Sequence, residues 1–188
     1  ESFKDAQFVT LSTPNVKAKD LRNEIELMNE GLRAITKNLK KTYGIKLQAL
    51  RKYECTYNKF DNTYNPHFHL ILDGKVTARG LVDLWLNRFK KADRKGQDIE
   101  KADSNSLPEL CKYFTKVISK DNDYNPKALD IMFRAIKGKR TFQKIGIKKD
   151  VSEDIDDIQS QTIEFKEPQE QIWGFESDVY DWVSADGE

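Results

Sequence analysis

The chain contains two histidines, His67 and His69, and a single residue separates them. In a β-strand this spacing places both imidazoles on one face, while Phe68 and Leu70 point to the other. Neutral imidazole is a common ligand of divalent metal ions. The stretch 64–72 therefore predicts a metal-binding strand, against the alternative of two histidines that merely alternate along a strand.

A carboxylate could complete this site. Residues 45–57 alternate in polarity, which predicts a strand with Glu54 on its more polar face. The Asn- and Asp-rich loop 58–66 predicts a hairpin folded near Asn62, with residue 54 opposite position 69 or 70. A slip of one residue would turn Glu54 to the other face. The alternative for Glu54 is an exposed strand carboxylate that binds no metal. Two imidazoles and one carboxylate suit Mn²⁺ or Zn²⁺ and also admit Mg²⁺.

A second group of reactive side chains falls on a predicted helix. Ser106-Leu-Pro-Glu109 has the form of a capping box with proline in the first turn, and the helix continues to about residue 120. Glu109 and Tyr113 share a face, which Lys116 extends. Beside a metal ion they suit phosphodiester chemistry, since tyrosine can attack phosphorus and lysine can neutralise the developing charge. Alone, the pattern also fits a packing tyrosine and a glutamate that caps the helix.

The remaining patterns predict the elements that position these groups. We expect strands at 7–12, 98–102 and 141–147, and helices at 19–43, 77–91 and 126–135. The first helix is long and amphipathic, and Gly44 ends it. Cys55 and Cys111 are too few and too scattered for a disulfide framework or a zinc ribbon, and we interpret them as thiols in a reducing cytoplasm.

Charge divides the chain into two predicted domains. Residues 1–149 carry 31 Lys and Arg and 18 Asp and Glu, a net +13, whereas residues 150–188 carry one Lys and 13 acids, a net −12. The basic part indicates a polyanionic partner, above all nucleic acid, against the alternative of a solvated lysine-rich surface. The acidic part contains aromatic residues that disordered tails usually lack, so we expect it to pack or to bind a partner; a flexible tail is the alternative. No apolar run or signal-peptide pattern predicts a membrane partner or export.

Several motifs, taken in order, resemble one known family. They are Phe8-Val-Thr-Leu-Ser-Thr-Pro-Asn-Val16, Arg51-Lys-Tyr-Glu54 with Asn65-Pro-His-Phe-His-Leu70, Glu109-Leu-Cys-Lys-Tyr113, and the segment from Gly138-Lys-Arg140 to Gly146. Together they resemble the rolling-circle plasmid replication initiators, whose endonuclease domain carries a His-hydrophobe-His (HUH) motif. The resemblance spans about residues 6–147, and motifs in the right order are far more specific than any one of them.

The resemblance implies an α+β fold, with a mostly antiparallel central sheet of the ferredoxin or RNA-recognition type and helices packed on one face. It also implies a single-tyrosine HUH endonuclease over residues 1–149, in the cytoplasm of a bacterium. Its DNA partner would be a single-stranded or cruciform plasmid origin, and its protein partners a host replication helicase or polymerase.

The resemblance also implies a role for each site residue. Tyr113 would attack the nick-site phosphate and form a 5′-phosphotyrosine, Glu109 would activate water at termination, and Lys116 would stabilise charge. His67, His69 and Glu54 would hold one Mn²⁺ or Mg²⁺.

Two other functions fit parts of the same sequence. A transposase or a conjugative relaxase would use the same HUH chemistry. A non-catalytic module could instead bind single-stranded nucleic acid on an RNA-recognition-like sheet, with Tyr53 and Tyr57 exposed to stack on bases. The pair Glu109 and Tyr113 favours an enzyme, because binding alone does not require it.

Overall fold

The structure is a computed structural model that describes residues 3–103, 105–111, 125–147, 173–176 and 181–184. The chain divides into two compact units, and the first ends at Ile147. The described residues of this first unit include five strands: β1 (Ala6–Ser12), β2 (Ala49–Asn58), β3 (Thr63–Asp73), β4 (Asp98–Lys101) and β5 (Phe142–Ile145). They form one sheet in the order β4-β1-β3-β2-β5, with every neighbouring pair antiparallel.

In the part of the chain that the structure describes, four α-helices accompany the sheet: α1 (Leu21–Tyr43), α2 (Lys75–Arg88), α3 (Ser106–Cys111) and α4 (Pro126–Ile136). Buried residues of α1, α2 and α4 join those of the sheet in one hydrophobic core. The predicted α+β fold with a mostly antiparallel sheet is therefore confirmed.

Local sequence signals explain where α1 ends and where α4 begins. The predicted apolar stripe of α1 is buried, and Gly44 ends the helix in the left-handed conformation, with φ of 67° and its N–H bonded to Leu39 O. The Asn125 side chain accepts a hydrogen bond from the N–H of Ala128, 3.1 Å away, and so caps α4, whose first residue is Pro126.

Phe68 sits in the middle of the core. It is fully buried, with its ring centroid 6.0 Å from that of Trp85 and 6.3 Å from that of Tyr53. The Arg51 guanidinium lies 4.7 Å from the Phe68 ring centroid, on the same side of the sheet. A cation over an aromatic face is attracted by the ring quadrupole, so this contact helps to offset the burial of a charge.

Arg51 is only 2% exposed and joins several elements. Its guanidinium donates to the Asn29 side-chain oxygen on α1 and to the carbonyl oxygen of Arg140, 2.7 Å away, in the segment before β5. Burial, with a smaller contribution from the nearby Arg33 charge, lowers the pKa of Arg51 to about 10. The buried Arg51 side chain therefore connects β2 to α1 and to the segment that leads into β5.

Two predictions about β2 need correction. The strand begins at Ala49 rather than at residue 45, although Leu47 is buried before it. Tyr53 is 3% exposed and packs edge-on against Phe68, so it is not available for stacking on bases. Tyr57 is half-buried, with its ring centroid 5.2 Å from that of Tyr64. The alternation of β2 was predicted correctly, but its aromatic face is the core face.

The other predicted elements are present with shifted ends. The second helix begins at Lys75, directly after Gly74, and ends at Arg88 rather than at residue 91. The final strand of the first unit covers four residues instead of seven. Cys55 is a half-buried free thiol whose pKa burial raises to about 12, while the side chain of Cys111 lies outside the described residues.

In the second unit, β6 (Trp173–Glu176) pairs antiparallel with β7 (Asp181–Ser184). The rest of the acidic segment, including Tyr180, lies outside the described residues. Among the described helices, none combines the length and the apolar composition needed to span a bilayer.

Gly146 and Gly80 form a matched pair for testing this fold. Gly146 follows β5 with φ of 67°, and a Cβ there would lie 2.2 Å from Leu47 O, whereas a Cβ on Gly80 in α2 would meet no atom within 4 Å. We expect Gly146→Ala to lower the free energy of unfolding by about 2 kcal/mol or more. Gly80→Ala should raise it by about 0.5–1 kcal/mol, because alanine is the better helix former. Urea unfolding measures both, and equal midpoints for the two variants would contradict the placement of β5 beside β2.

Candidate metal centre

The β2–β3 hairpin brings Glu54 and the two histidines to one face of the sheet. Glu54 pairs directly with His67, and Lys52 pairs with His69. The predicted partner of residue 54 was position 69 or 70, so the register differs by two or three residues. Because 67 and 69 have the same parity, the pairing with His67 puts Glu54 on the predicted face.

Turn chemistry explains the difference in register. The strands pair as far as Asn58 and Thr63, which leaves residues 59–62 as the loop. The Asn58 side-chain oxygen accepts from the N–H of Phe60 at 3.0 Å, and this local hydrogen bond begins the turn early. Asn62, where the turn was predicted to fold, instead ends it with φ of 47°.

The three predicted ligands converge on a small volume. Glu54 Oε2 lies 3.1 Å from His69 Nε2 and 3.5 Å from His67 Nε2. The ring centroids of His67 and His69 are 4.9 Å apart, with an interplanar angle of 84°. One ligand atom from each residue lies within 4.8 Å of the others. Such spacing allows a single divalent ion to contact two nitrogens and one oxygen and to keep further positions open.

Hydrogen bonds on the far side of each imidazole fix its orientation. His67 Nδ1 lies 3.1 Å from the carbonyl oxygen of Asn65, and His69 Nδ1 lies 3.1 Å from Thr10 Oγ1 on β1. A carbonyl only accepts, so we assign the proton of a neutral His67 to Nδ1, which leaves a lone pair on Nε2. That lone pair then points toward the Glu54 carboxylate and repels it. A cation held by both groups would remove this repulsion. The residues present therefore fit a divalent metal ion, with the outer partners that metal-binding histidines usually have.

The Glu54 carboxylate is held in its charged form. Burial raises the pKa of Glu54. Hydrogen bonds outweigh that effect and hold the pKa well below its usual range; His67 and His69 donate them when Nε2 carries a proton, and Lys52 donates as well. Lys52 Nζ lies 2.6 Å from Glu54 Oε1, which leaves Oε2 directed at the imidazoles. The lysine is almost fully buried, so its contact with Glu54 is poorly screened by water.

Lys52 and Thr10 belong to the site but were not predicted as site residues. The alternation of β2 already placed Lys52 on the face of Glu54, two residues before it, which was the available signal. Thr10 lies opposite His69 across the β1–β3 pair, and the sequence alone offered no register for that pairing.

The predicted catalytic helix is only partly described. Tyr113 and Lys116 lie outside the described residues, and so does the side chain of Glu109, although its backbone belongs to α3. Helix α3 contacts β3 and β2, the two strands that carry the candidate ligands. Leu110 of α3 is buried outside the main core, as is Ile71, which lies on the same face of β3 as the histidines. These contacts favour a position of α3 on the histidine face of the sheet.

The chain is similar to known replication proteins. A family model described as "Replication protein" matches residues 2–75. A "Protein rep" of Staphylococcus aureus is 33% identical over 131 residues, which cover 64% of this chain and 56% of the relative. Those of Bacillus amyloliquefaciens and a Bacillus species are 40% and 38% identical over 89 residues, 45% of this chain.

These matches bear on the resemblance stated from the motifs. The chain spans just over half the length of the first relative, and 26% and 29% of the other two. No solved structure matches it. The family model and the curated relatives confirm the resemblance to plasmid Rep proteins at the level of replication proteins.

The metal centre can be tested by Mn²⁺ calorimetry. His69→Ala removes a ligand, and Glu54→Gln replaces the charged carboxylate with a neutral and weaker amide ligand, so we expect the affinity to fall more than a hundredfold in each. Thr10→Val removes only the outer partner of His69 and should cost about tenfold to a hundredfold. Asp83→Asn, an exposed carboxylate paired with Arg94, is the control and should bind like the wild type.

Mn²⁺ binding should also weaken as the pH is lowered, because an imidazole must lose its proton to bind a metal. Unchanged affinity in His69→Ala would remove the histidines from the site.

Proposed function

We propose that this relative of the replication proteins is a rolling-circle plasmid replication initiator that nicks and rejoins single-stranded origin DNA. The observation that carries the proposal is the convergence of Glu54, His67 and His69 on one face of the sheet. Its DNA partner would be a single-stranded or cruciform origin, with a host replication helicase or polymerase acting at the same origin. The bacterial cytoplasm is the proposed location.

Tyr113 is the proposed nucleophile. Its phenolic oxygen loses a proton to solvent or base and attacks the nick-site phosphorus. The new P–O bond makes a 5′-phosphotyrosine, the P–O3′ bond breaks, and the departing oxygen takes up a proton as a free 3′-OH. Rejoining is the reverse, with the 3′-OH as the attacking group. The contact of α3 with β2 and β3 supports this assignment, since Tyr113 follows α3 by two residues.

Glu54, His67 and His69 would hold one Mn²⁺ or Mg²⁺, which when bound polarises a non-bridging oxygen of the scissile phosphate. Lys52 holds the Glu54 carboxylate in place, and Thr10 and the Asn65 carbonyl orient the imidazoles, so little rearrangement accompanies binding. Lys116 would neutralise the charge that develops on the phosphate during attack.

Glu109 is the proposed general base of termination. Its carboxylate would take a proton from water, and the resulting hydroxide would attack the phosphotyrosine. The P–O bond to Tyr113 would break, and the departing phenolic oxygen would take up a proton. The four-residue spacing puts Glu109 one helical turn from Tyr113, within reach of the same phosphate. The alternative of a non-catalytic binding module loses support, because Tyr53 is buried in the core.

The nucleophile is tested by Tyr113→Phe, which keeps the ring and removes only the phenolic oxygen. We expect nicking and the covalent adduct to disappear while folding persists. Tyr43→Phe, a largely exposed tyrosine at the end of α1, is the matched control and should nick normally. The assay is incubation with origin DNA and Mn²⁺ followed by denaturing electrophoresis. A covalent adduct formed by Tyr113→Phe would assign the attack to another residue.

Glu109→Gln separates the second step from the first. The first cleavage should persist, while release of the adduct by water should slow by about 10²–10⁴-fold, the usual effect of losing a general base. If Glu109 only caps the helix, the variant should instead lose about 1 kcal/mol of stability and release the adduct at the normal rate. Glu100→Gln, an exposed residue of β4, is the control.

DNA binding should depend steeply on salt. With net +13 over residues 1–149, phosphate neutralisation should dominate binding, and log affinity should fall with log salt by about 0.7 for each phosphate contacted on a single strand. Fluorescence anisotropy across a potassium chloride series measures the slope. An affinity unchanged between dilute and physiological salt would refute a phosphate-led mode.

A further inference from the structure

Phe60 stands at the tip of the hairpin that carries the candidate metal ligands. It is 88% exposed, more than any other large hydrophobic residue that the structure describes. Isolated exposed apolar side chains are common on protein surfaces and usually require no explanation. Phe60 calls for one because of how the tip around it is built.

The tip is fixed by hydrogen bonds within it. Besides accepting from the N–H of Phe60, the Asn58 side chain donates to Asp61 Oδ2 at 2.9 Å. The Tyr57 hydroxyl donates to Asn62 Oδ1 at 3.0 Å. An exposed aromatic ring on an ordered turn is preorganised for contact, because part of the ordering cost of binding has already been met.

Contacts to the segment after β1 also hold the tip. Lys17 Nζ donates to the carbonyl oxygen of Asp61 at 2.6 Å. Val16 and Tyr64 exchange two backbone hydrogen bonds, of 2.9 and 2.8 Å, at the base of the loop. The position of Phe60 is therefore coupled to the sheet and not only to its own loop.

Positive charge accompanies the ring. Lys59 Nζ lies 5.9 Å from the Phe60 ring centroid, and Lys17 reaches the same loop. Aromatic rings beside cations are the combination with which proteins hold single-stranded nucleic acid, since the ring stacks on a base while the cation meets the backbone. The tip contains one acid, Asp61, whose side chain is engaged by Asn58.

The tip and the candidate metal centre share one rigid element. Glu54 precedes Asn58, the last paired residue before the loop that carries Phe60, by four strand positions, which at about 3.3 Å per residue corresponds to about 13 Å. One strand of DNA could therefore lie at the metal centre and at the tip at once.

We propose that Phe60 is a stacking platform for an unpaired nucleobase of the DNA strand whose nick-site phosphate lies at the metal centre. The DNA partner rests on the proposed function; the stacking itself does not require cleavage. Stacking on an aromatic ring tolerates any base, so the platform would add affinity and position the strand without reading its sequence.

The test measures the affinity of the full chain for a fluorescein-labelled oligothymidylate by fluorescence anisotropy. Phe60→Ala should weaken binding about five- to a hundredfold, the range for loss of one stacked base. Phe60→Trp keeps an aromatic ring and should bind at least as tightly as the wild type. Phe133 is a half-exposed phenylalanine of α4, and the control variant Phe133→Ala should bind like the wild type. The salt slope of Phe60→Ala should equal that of the wild type, because no charge has changed, whereas Lys59→Ala should reduce it.

An oligonucleotide of abasic residues provides the second arm. It keeps the phosphates and lacks the bases, so Phe60→Ala and the wild type should bind it equally. Wild-type affinity of Phe60→Ala for oligothymidylate, or an equal loss on both oligonucleotides, would overturn the proposal. The outcome is separate from nicking: an effect of Phe60 in a protein that forms no adduct would leave the platform standing and refute the endonuclease.

Discussion

Phe68 is enclosed by Trp85, Tyr53 and the Arg51 guanidinium, and this enclosure leaves its two neighbours in β3 no choice of side. Because successive side chains of a strand point to opposite faces, burying Phe68 turns both His67 and His69 to the other face. A shift of one residue in the pairing of β3 would turn the histidines toward the core and Phe68 toward solvent. The packing energy of one large aromatic thus enforces the geometry of two ligands that contribute little to the core themselves.

The turn at the end of the hairpin determines whether Glu54 lies on the same face as the histidines. The Asn58 side chain starts the loop, and the loop length sets which residue of β2 faces His67. A loop one residue longer or shorter would change the parity of the pairing and remove Glu54 from the histidines. The hydrogen bonds that present Phe60 to solvent are therefore also those that align the carboxylate with the imidazoles.

Prediction from the sequence succeeded where a pattern is local. The alternation of β2, the His-x-His strand, the amphipathic pattern of α1 and the start of α4 at Pro126 each depend on residues close together in the chain. The convergence of Glu54, His67 and His69 followed from alternation together with a hairpin. The exact register did not follow, because it depends on how the Asn58 side chain competes for backbone N–H groups.

The contributions of Thr10 and Arg51 could not be predicted because they arise from contacts distant in sequence. Thr10 reaches His69 only through the pairing of β1 with β3, and Arg51 is buried only because α1 and the segment before β5 supply its acceptors. Tyr53 illustrates the same limit. Its position on a face was predicted, yet which face the helices cover is decided by the whole sheet.

The order of strands has a consequence for the mobility of the site. β3, which carries both histidines, lies at the centre of the sheet, and β2 and β1 flank it, so the backbone that holds the candidate ligands has partners on both sides. The short strands β4 and β5 form the edges instead. Amide protons next to the ligands should then exchange with solvent only when the whole unit opens, while those of β4 and β5 exchange through local fraying.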